Sequence, residues 1–376
     1  MALKEIQLGN DKIQKIGENA KAPNDLFREV NSLSKVGAEK SRIGNVKNLF
    51  RDHIVTLHSS FTRHTTLYML LPWAEDGSLF DLWKKVKSVD ASLEWLLHQV
   101  VGLVGGLHLL HSMGYRHGDL KPDNILVFTE KPPEPEGELD EDCGFLKSYQ
   151  LDDGRFAIVK QSCLGDLVIS DFDTANSGYF EWARWRISQA HSAHRVSAAP
   201  RYEPPQAHYN HPDDISDDIW SLGCVLLEFI IWKWHGMEGF QRFHDEAGSR
   251  RVDKFWKLVD DDPKLHPVVE EWMRDLDTSM SASLANDLAN YLRKLLGVVR
   301  HNMLVVETFQ SPDSRAGPYR SDSANLLDKF LSDEDLGGDW HHFDPGGISP
   351  NFPPLGRIRM RGDDYTRWQD LNHDVL

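Results

Sequence analysis

The stretch "YRHGDLKPDNILVF", residues 115–128, places an acid, a lysine and an amide in one short loop: Asp119, Lys121 and Asn124. An aspartate can accept or orient the proton of an attacking hydroxyl. A lysine just beyond it can meet a transferring phosphate, and an asparagine further on can bind Mg²⁺ through its carbonyl oxygen. Phosphoryl transfer asks for this set, because it needs in-line positioning, charge neutralisation by a metal and a carboxylate for the hydroxyl, with little covalent work. A second acid is then required for the metal. Asp171 fits, since it follows an apolar strand pattern in "LVISDFDTAN" and a strand end holds a carboxylate rigidly.

The elements that must position these residues are legible in outline. "ALKEI" reads as a short strand, and "NDLFREVNSLSKVG" as an amphipathic helix with Phe27, Val30 and Leu33 at helical spacing. "HIVTLHSSF" and "TTLYMLLPW" read as two strands, closed by the turn "EDGS". "LEWLLHQVVGLVGGLHLLHSMG" reads as a long, largely apolar central helix ahead of the loop. Beyond the loop, "TEKPPEPEGELDED" has three prolines and seven acids, which predicts a solvated, poorly ordered stretch. "RFAIVK" and "LVISDFD" then read as strands, "DDIWSLGCVLLEFIIW" as a helix, and further helices follow to about residue 330. The Gly-, Pro- and Asp-rich end, 331–376, reads as a tail.

The chain has 376 residues, enough for two lobes with substantial cores, and a formal charge of -16. That charge argues against a general affinity for nucleic acid or an anionic membrane surface. Three cysteines, Cys143, Cys163 and Cys224, match no disulfide framework or metal-ligand spacing, which predicts a reducing compartment. No apolar run is read as approaching the roughly 18 residues of a membrane span. An intracellular protein, cytoplasmic or nuclear, is the resulting expectation.

Taken in order, these motifs resemble those of the eukaryotic protein kinases, serine/threonine type, over about residues 2–330. "GLHLLHSMGYRHGDLKPDNILVF" is similar to the catalytic-loop region, "DFD" stands at the metal-binding DFG position, "RYEPPQ" resembles the end of the activation segment, and "DDIWSLGCVLLEF" the helix that anchors the loop. The resemblance implies an α+β, two-lobe kinase-like fold with a truncated N-terminal β lobe and a mainly helical C-terminal lobe. The implied boundaries are 1–74 for the N-lobe and hinge, 75–330 for the C-lobe with an acidic insert at about 129–155, and 331–376 for the tail. It implies Asp119 as catalytic base, Lys121 as phosphate contact, and Asn124 and Asp171 as Mg²⁺ ligands. Lys4 would contact ATP and pair with Glu29. Leu71 would be the gatekeeper, the backbone of Pro72, Trp73 and Ala74 would meet adenine, and Leu126 would complete the nucleotide contacts. Asp218 would be a buried anchor. The implied partners are ATP and a protein substrate, and the lysine of "DLKPDN" points to serine or threonine as acceptor.

Departures from that pattern are equally specific. Gly118 stands where an arginine would clamp a phosphorylated activation loop, so regulation by that route is not expected. Asp173 replaces the DFG glycine. Gln206 replaces a glutamate that would pair with a cation such as Arg320, which removes an ion pair while leaving room for a hydrogen bond. The chain starts three residues before Lys4, so the glycine-rich loop and its two strands are expected to be missing. Two other readings stay open: a pseudokinase that binds a partner, and a small-molecule phosphotransferase of the aminoglycoside or choline type, which "HGDLxxxNIL" with "DFD" also resembles. The downstream "RYEPPQ" and "DDIWSLGCVLLEF" favour a protein acceptor.

Overall fold

In the computed structural model of the chain, the described residues are 1–7, 30, 33–35, 52–64, 66–129, 145–150, 156–161, 164–172, 176–177, 200–206, 215–249, 254–283, 286–311, 314–316 and 320–332. Residues Met1–Asp344 form one compact unit, and Pro345–Leu376, a second, lie outside the described residues together with the expected tail.

Strands β1 (Ala2–Gln7), β2 (Ser59–Arg63) and β3 (Thr66–Leu71) form an antiparallel sheet with β3 in the middle. Its register sets Lys4 opposite Met69. Alternation along β3 explains the central place: Leu67 and Met69 are fully buried, while Tyr68 and Leu70 are half-buried on the other face. "HIVTL" does not extend β2 as expected. The Ile169 amide instead donates to the His53 carbonyl at 2.8 Å, and the Val55 amide to the Ile169 carbonyl at 2.9 Å. These backbone groups are spent on the strand that leads to Asp171.

Ser78 starts α1 (Leu79–Lys85) with a capping box: its side chain accepts from the Asp81 amide, and the Asp81 carboxylate accepts from the Ser78 amide. Helix α2 (Leu93–Ser112), capped by Ser92, is the expected central helix. By length and composition it would suffice to cross a membrane, contrary to the sequence expectation that no run does. In the structure 67% of that apolar window is buried inside the protein, as in a core helix. The loop follows from β4 (Tyr115–Arg116) to β5 (Ile125–Phe128).

The insert is not wholly irregular. β6 (Phe145–Gln150) pairs with β7 (Phe156–Gln161) as an antiparallel hairpin. Strand β8 (Asp166–Ile169) pairs with β5, and β9 (Asn176–Ser177) with β4. Helix α3 (Ser216–Ser249) is kinked at Gly236, whose φ of 71° suits a residue without Cβ. Residues from Asp217 to Trp232 are buried along nearly the whole run. Trp83, Phe229 and Trp232 pack there, with ring centroids 5.8–6.3 Å apart, and each such buried ring contributes about 1.5–3 kcal/mol. Hairpin β10 (Trp256–Val259) and β11 (Asp262–Leu265) precedes α4 (Pro267–Ser281) and α5 (Asp287–Val298). Hairpin β12 (Thr308–Ser311) and β13 (Ser314–Ala316) leads to α6 (Ser323–Ser332), which packs on α2.

Candidate active site

The loop between β4 and β5 is suspended from α3 by one buried carboxylate. Asp218, 1% exposed, accepts from the His117 amide and the Gly118 amide, each at 2.8 Å, and from His111 Nε2 at 2.9 Å. Burial alone would raise its pKa. The hydrogen bond and charge of His111, with the charge of Arg116, outweigh burial and hold the carboxyl below its ordinary value. The expectation of a buried anchor therefore holds in the described geometry. Gly118 has a φ of 84°, a left-handed backbone that glycine adopts at little cost.

His117 joins the loop to the end of β8. Its Nε2–H donates to the Ser170 carbonyl at 2.9 Å, and its Nδ1 accepts from the Asp119 amide at 3.2 Å, so both ring nitrogens are assigned by their partners. Burial, the largest influence, lowers its pKa against the pull of Asp218, the Ser170 carbonyl, Asp119 and Asp171, consistent with that neutral tautomer. Its ring packs against fully buried Phe172, centroids 5.0 Å apart and planes tilted by 58°.

Within the loop, Lys121 Nζ donates to Asp119 Oδ2 at 2.6 Å. Asn124 Nδ2 donates to Asp119 O at 2.8 Å and to Oδ2 at 2.9 Å, which turns its carbonyl end away from Asp119. The Asn124 backbone carbonyl accepts from both the amide and the hydroxyl of Ser170, each at 2.9 Å. Asn124 is thereby tied to the residue next to Asp171. Asp171 has a φ of 64°, unusual for a residue with a Cβ and a sign that its surroundings dictate its pose. Lys4 Nζ donates to its Oδ1 at 2.7 Å.

Of the sequence-predicted site residues, the structure brings Asp119, Lys121 and Asn124 into direct contact and sets Lys4 on Asp171. The expected Lys4–Glu29 pair is untraced, because Glu29 lies outside the described residues; so does Asp173. Leu71 ends β3 half-buried, Pro72 and Ala74 follow half-buried, and Trp73 is 62% exposed. Leu126 is half-buried on the face of β5 opposite Ile125 and Val127, which are in the core. Asn124 and Asp171 fit a divalent cation: a carbonyl oxygen directed away from Asp119 and a part-exposed carboxylate on adjoining strand ends offer hard oxygen ligands. Sequence reasoning missed His117 and His111. His117 lies inside the quoted loop, whereas His111 had only its place in "LLHSMG" to mark it.

At the far end of the activation-segment motif, Gln206 Oε1 accepts from Arg320 Nη2 at 2.6 Å, and Gln206 Nε2 donates to Glu307 Oε2 at 3.2 Å. The hydrogen bond foreseen for this glutamine exists, and Glu307 carries the acid. Arg116 Nη1 is bound to Asp217 at 3.1 Å and Arg201 Nε to buried Glu228 at 3.1 Å.

The family model for the protein kinase domain matches residues 20–283. The chain belongs to the protein kinase family. The resemblance to kinases of the serine/threonine type is borne out by its relatives. It is 25% identical over 212 residues to the probable serine/threonine protein kinase IRE of Arabidopsis thaliana, covering 55% of this chain and 16% of that protein. It is 29% identical over 226 residues to the serine/threonine-protein kinase PDK1 of Cryptococcus neoformans var. grubii, covering 60% and 15%. It is 28% identical over 198 residues to mouse serine/threonine-protein kinase 16, covering 52% and 54%. The chain thus spans only part of the length of these relatives.

Proposed function

We propose that the chain is an ATP- and Mg²⁺-dependent serine/threonine protein kinase that passes the γ-phosphoryl group of ATP to a hydroxyl of a protein substrate. The contact of Asp119 with both Lys121 and Asn124 carries this reading. Asp119 Oδ2 takes the incoming hydroxyl and orients its proton, with Lys121 and Asn124 fixing the carboxylate's direction. Lys121 Nζ, already beside that oxygen, is in position to follow the phosphoryl group as charge develops on it. Lys4 neutralises Asp171 and supplies a positive charge for the phosphates. Magnesium, held by Asn124 and Asp171, would supply charge neutralisation of the transferring group. The nucleotide base would lie against Leu71, the Pro72–Ala74 backbone and Leu126. A protein acceptor is favoured by the ordered "RYEPPQ" segment, which Tyr202 and Arg201 anchor to Glu228.

The test offers the 376-residue chain radiolabelled Mg-ATP with a degenerate serine/threonine peptide library, and in parallel with an aminoglycoside and choline. Label in peptide serine or threonine is expected. Label only in a small molecule, or nucleotide binding without any transfer, contradicts the proposal.

A further inference from the structure

Behind the candidate active site, three potential metal ligands from three separate elements face one another. They are His53, in the segment before β2; His98, on α2; and Asp166, at the start of β8. One ligand atom from each lies within 4.8 Å of the other two. His53 is fully buried, and the side chains of His98 and Asp166 are each 16% exposed, so the group is open to solvent on one side only. We propose that His53, His98 and Asp166 form a binding site for a divalent transition metal of the Zn²⁺ class.

The donor types suit such an ion. Two imidazole nitrogens and one carboxylate oxygen are zinc-type ligands, and three protein ligands leave a fourth position for water. The pose of His53 is fixed in the way a metal-binding imidazole requires. Its Nδ1 lies 2.6 Å from the Leu167 carbonyl, so Nδ1 carries the proton and Nε2 presents a lone pair. Gly102 on α2 makes this pose possible. A Cβ there would stand 2.0 Å from His53 Nε2 and 2.3 Å from each ring carbon beside it. Those near-equal distances set the glycine over the face of the ring, leaving the direction of the in-plane lone pair clear of it.

His98 and Asp166 converge on a shared donor. His98 Nδ1 and Asp166 Oδ1 are 3.7 Å apart, and Gln99 Nε2 reaches both, at 3.0 and 3.2 Å. Gln99 is held in turn by the Leu167 amide, which donates to its Oε1 at 2.7 Å. Two acceptors converging on the one NH2 group of Gln99 are arranged much as they would be around a cation. Donors bound at about 2.0–2.1 Å to a tetrahedral ion sit about 3.4 Å apart, so binding asks for a contraction of about an ångström and release of one amide contact. The framework is otherwise cross-linked by hydrogen bonds. Trp95 and Gln99 fix α2 to β8 through Gly165 and Leu167, and the His53 carbonyl accepts from Ile169. An ion here would staple the segment before β2, helix α2 and the strand that ends at Asp171.

Full-length chain, stripped with chelator, is titrated with Zn²⁺ by calorimetry, and with Co²⁺ to read the visible absorption of a four-coordinate ion. One Zn²⁺ per chain, a raised melting temperature and a tetrahedral Co²⁺ spectrum are expected. His98→Ala and Asp166→Asn, both at part-exposed positions, should each weaken Zn²⁺ binding by more than the about 10–100-fold typical of losing an outer-shell partner. Circular dichroism confirms that each variant is folded, and Asp171→Asn should bind Zn²⁺ as the parent does. No stoichiometric Zn²⁺ binding by the parent chain, or unchanged binding in either folded variant, overturns the proposal. So does loss of the Zn²⁺ through Asp171→Asn, which would locate the ion in the active-site loop instead.

Discussion

Lys4 Nζ and Asp171 Oδ1 lie 2.7 Å apart although 167 positions separate them in sequence. The pair joins the N-terminal strand to the strand end that carries the proposed metal ligand, and both side chains are part-exposed, at 30% and 38%. Such a pair adds little stability, on the order of 0–1 kcal/mol. In the proposed function its value lies in aligning two charges, one for phosphate and one for metal.

Lys4→Met should therefore leave the melting temperature nearly unchanged while lowering kcat/KM for ATP by about 10²–10³-fold. Parallel thermal melts and steady-state kinetics check this. A large loss of stability with intact kinetics would reassign Lys4 to the fold.

Activity should not depend on a phosphorylated activation loop. Gly118 offers no side chain, and two arginines among the described residues, Arg116 and Arg201, are bound to Asp217 and Glu228. Phosphatase treatment should leave the rate of transfer within about twofold, by assay before and after treatment with mass spectrometry confirming dephosphorylation. A drop of tenfold or more, about 1.4 kcal/mol, would mean that one of these arginines leaves its acid to clamp a phosphate.

Gln206→Glu, which restores the residue common at this motif, should destabilise the protein. Glu307 already supplies the acid near Arg320, its carboxylate accepting from Gln206 Nε2 at 3.2 Å and from the Arg320 amide at 2.9 Å. The change removes a buried N–H donor and faces two carboxylates, costing about 1–3 kcal/mol. Adding Glu307→Gln to the same chain should recover most of it. Chemical denaturation of the parent, the single variant and the double variant reads the difference, and a stabilised single variant would contradict it.

Stability should fall in acid. Asp218 and Glu228 are both fully buried, and both have lowered pKa values. For Glu228, burial raises the pKa, but the His244 hydrogen bond, the Arg201 charge and Tyr202 outweigh it. A carboxyl lowered in the folded state contributes stability that is present above its unfolded pKa, about 4, and is lost as pH falls through the folded value. Urea midpoints should begin to fall below about pH 6, where buried neutral His117 opposes protonation that the unfolded chain accepts, and drop steeply below about pH 4 as the two carboxylates are protonated. A midpoint that rises or stays level on acidification would contradict this.

Much of this site was legible because its chemistry is local in sequence. Asp119, Lys121 and Asn124 share one loop, and the apolar run before Asp171 announced its strand. What could not be read were partners distant in the chain. Nothing in the spacing ties His111 to Asp218, or His53 to Leu167, because these contacts arise only when α2, α3 and β8 pack together. "HIVTL" misled for a related reason: its alternation suits a strand, yet its backbone bonds go to Ile169. β6 was hidden in an insert whose acids and prolines dominated its reading. Gly118 was noticed for the arginine it lacks, whereas its φ of 84° gives the backbone reason for a glycine there.

The most direct measurement is single-turnover transfer of labelled phosphate from Mg-ATP to the serine/threonine peptide library, comparing the parent chain with Asp119→Asn and Asp171→Asn. The parent should label the peptides, and each variant, folded by circular dichroism, should be slower by several orders of magnitude, since positioning and metal charge supply most of the rate. Equal labelling by the parent and by Asp171→Asn would contradict the assignment of this loop and strand end as the phosphotransfer site.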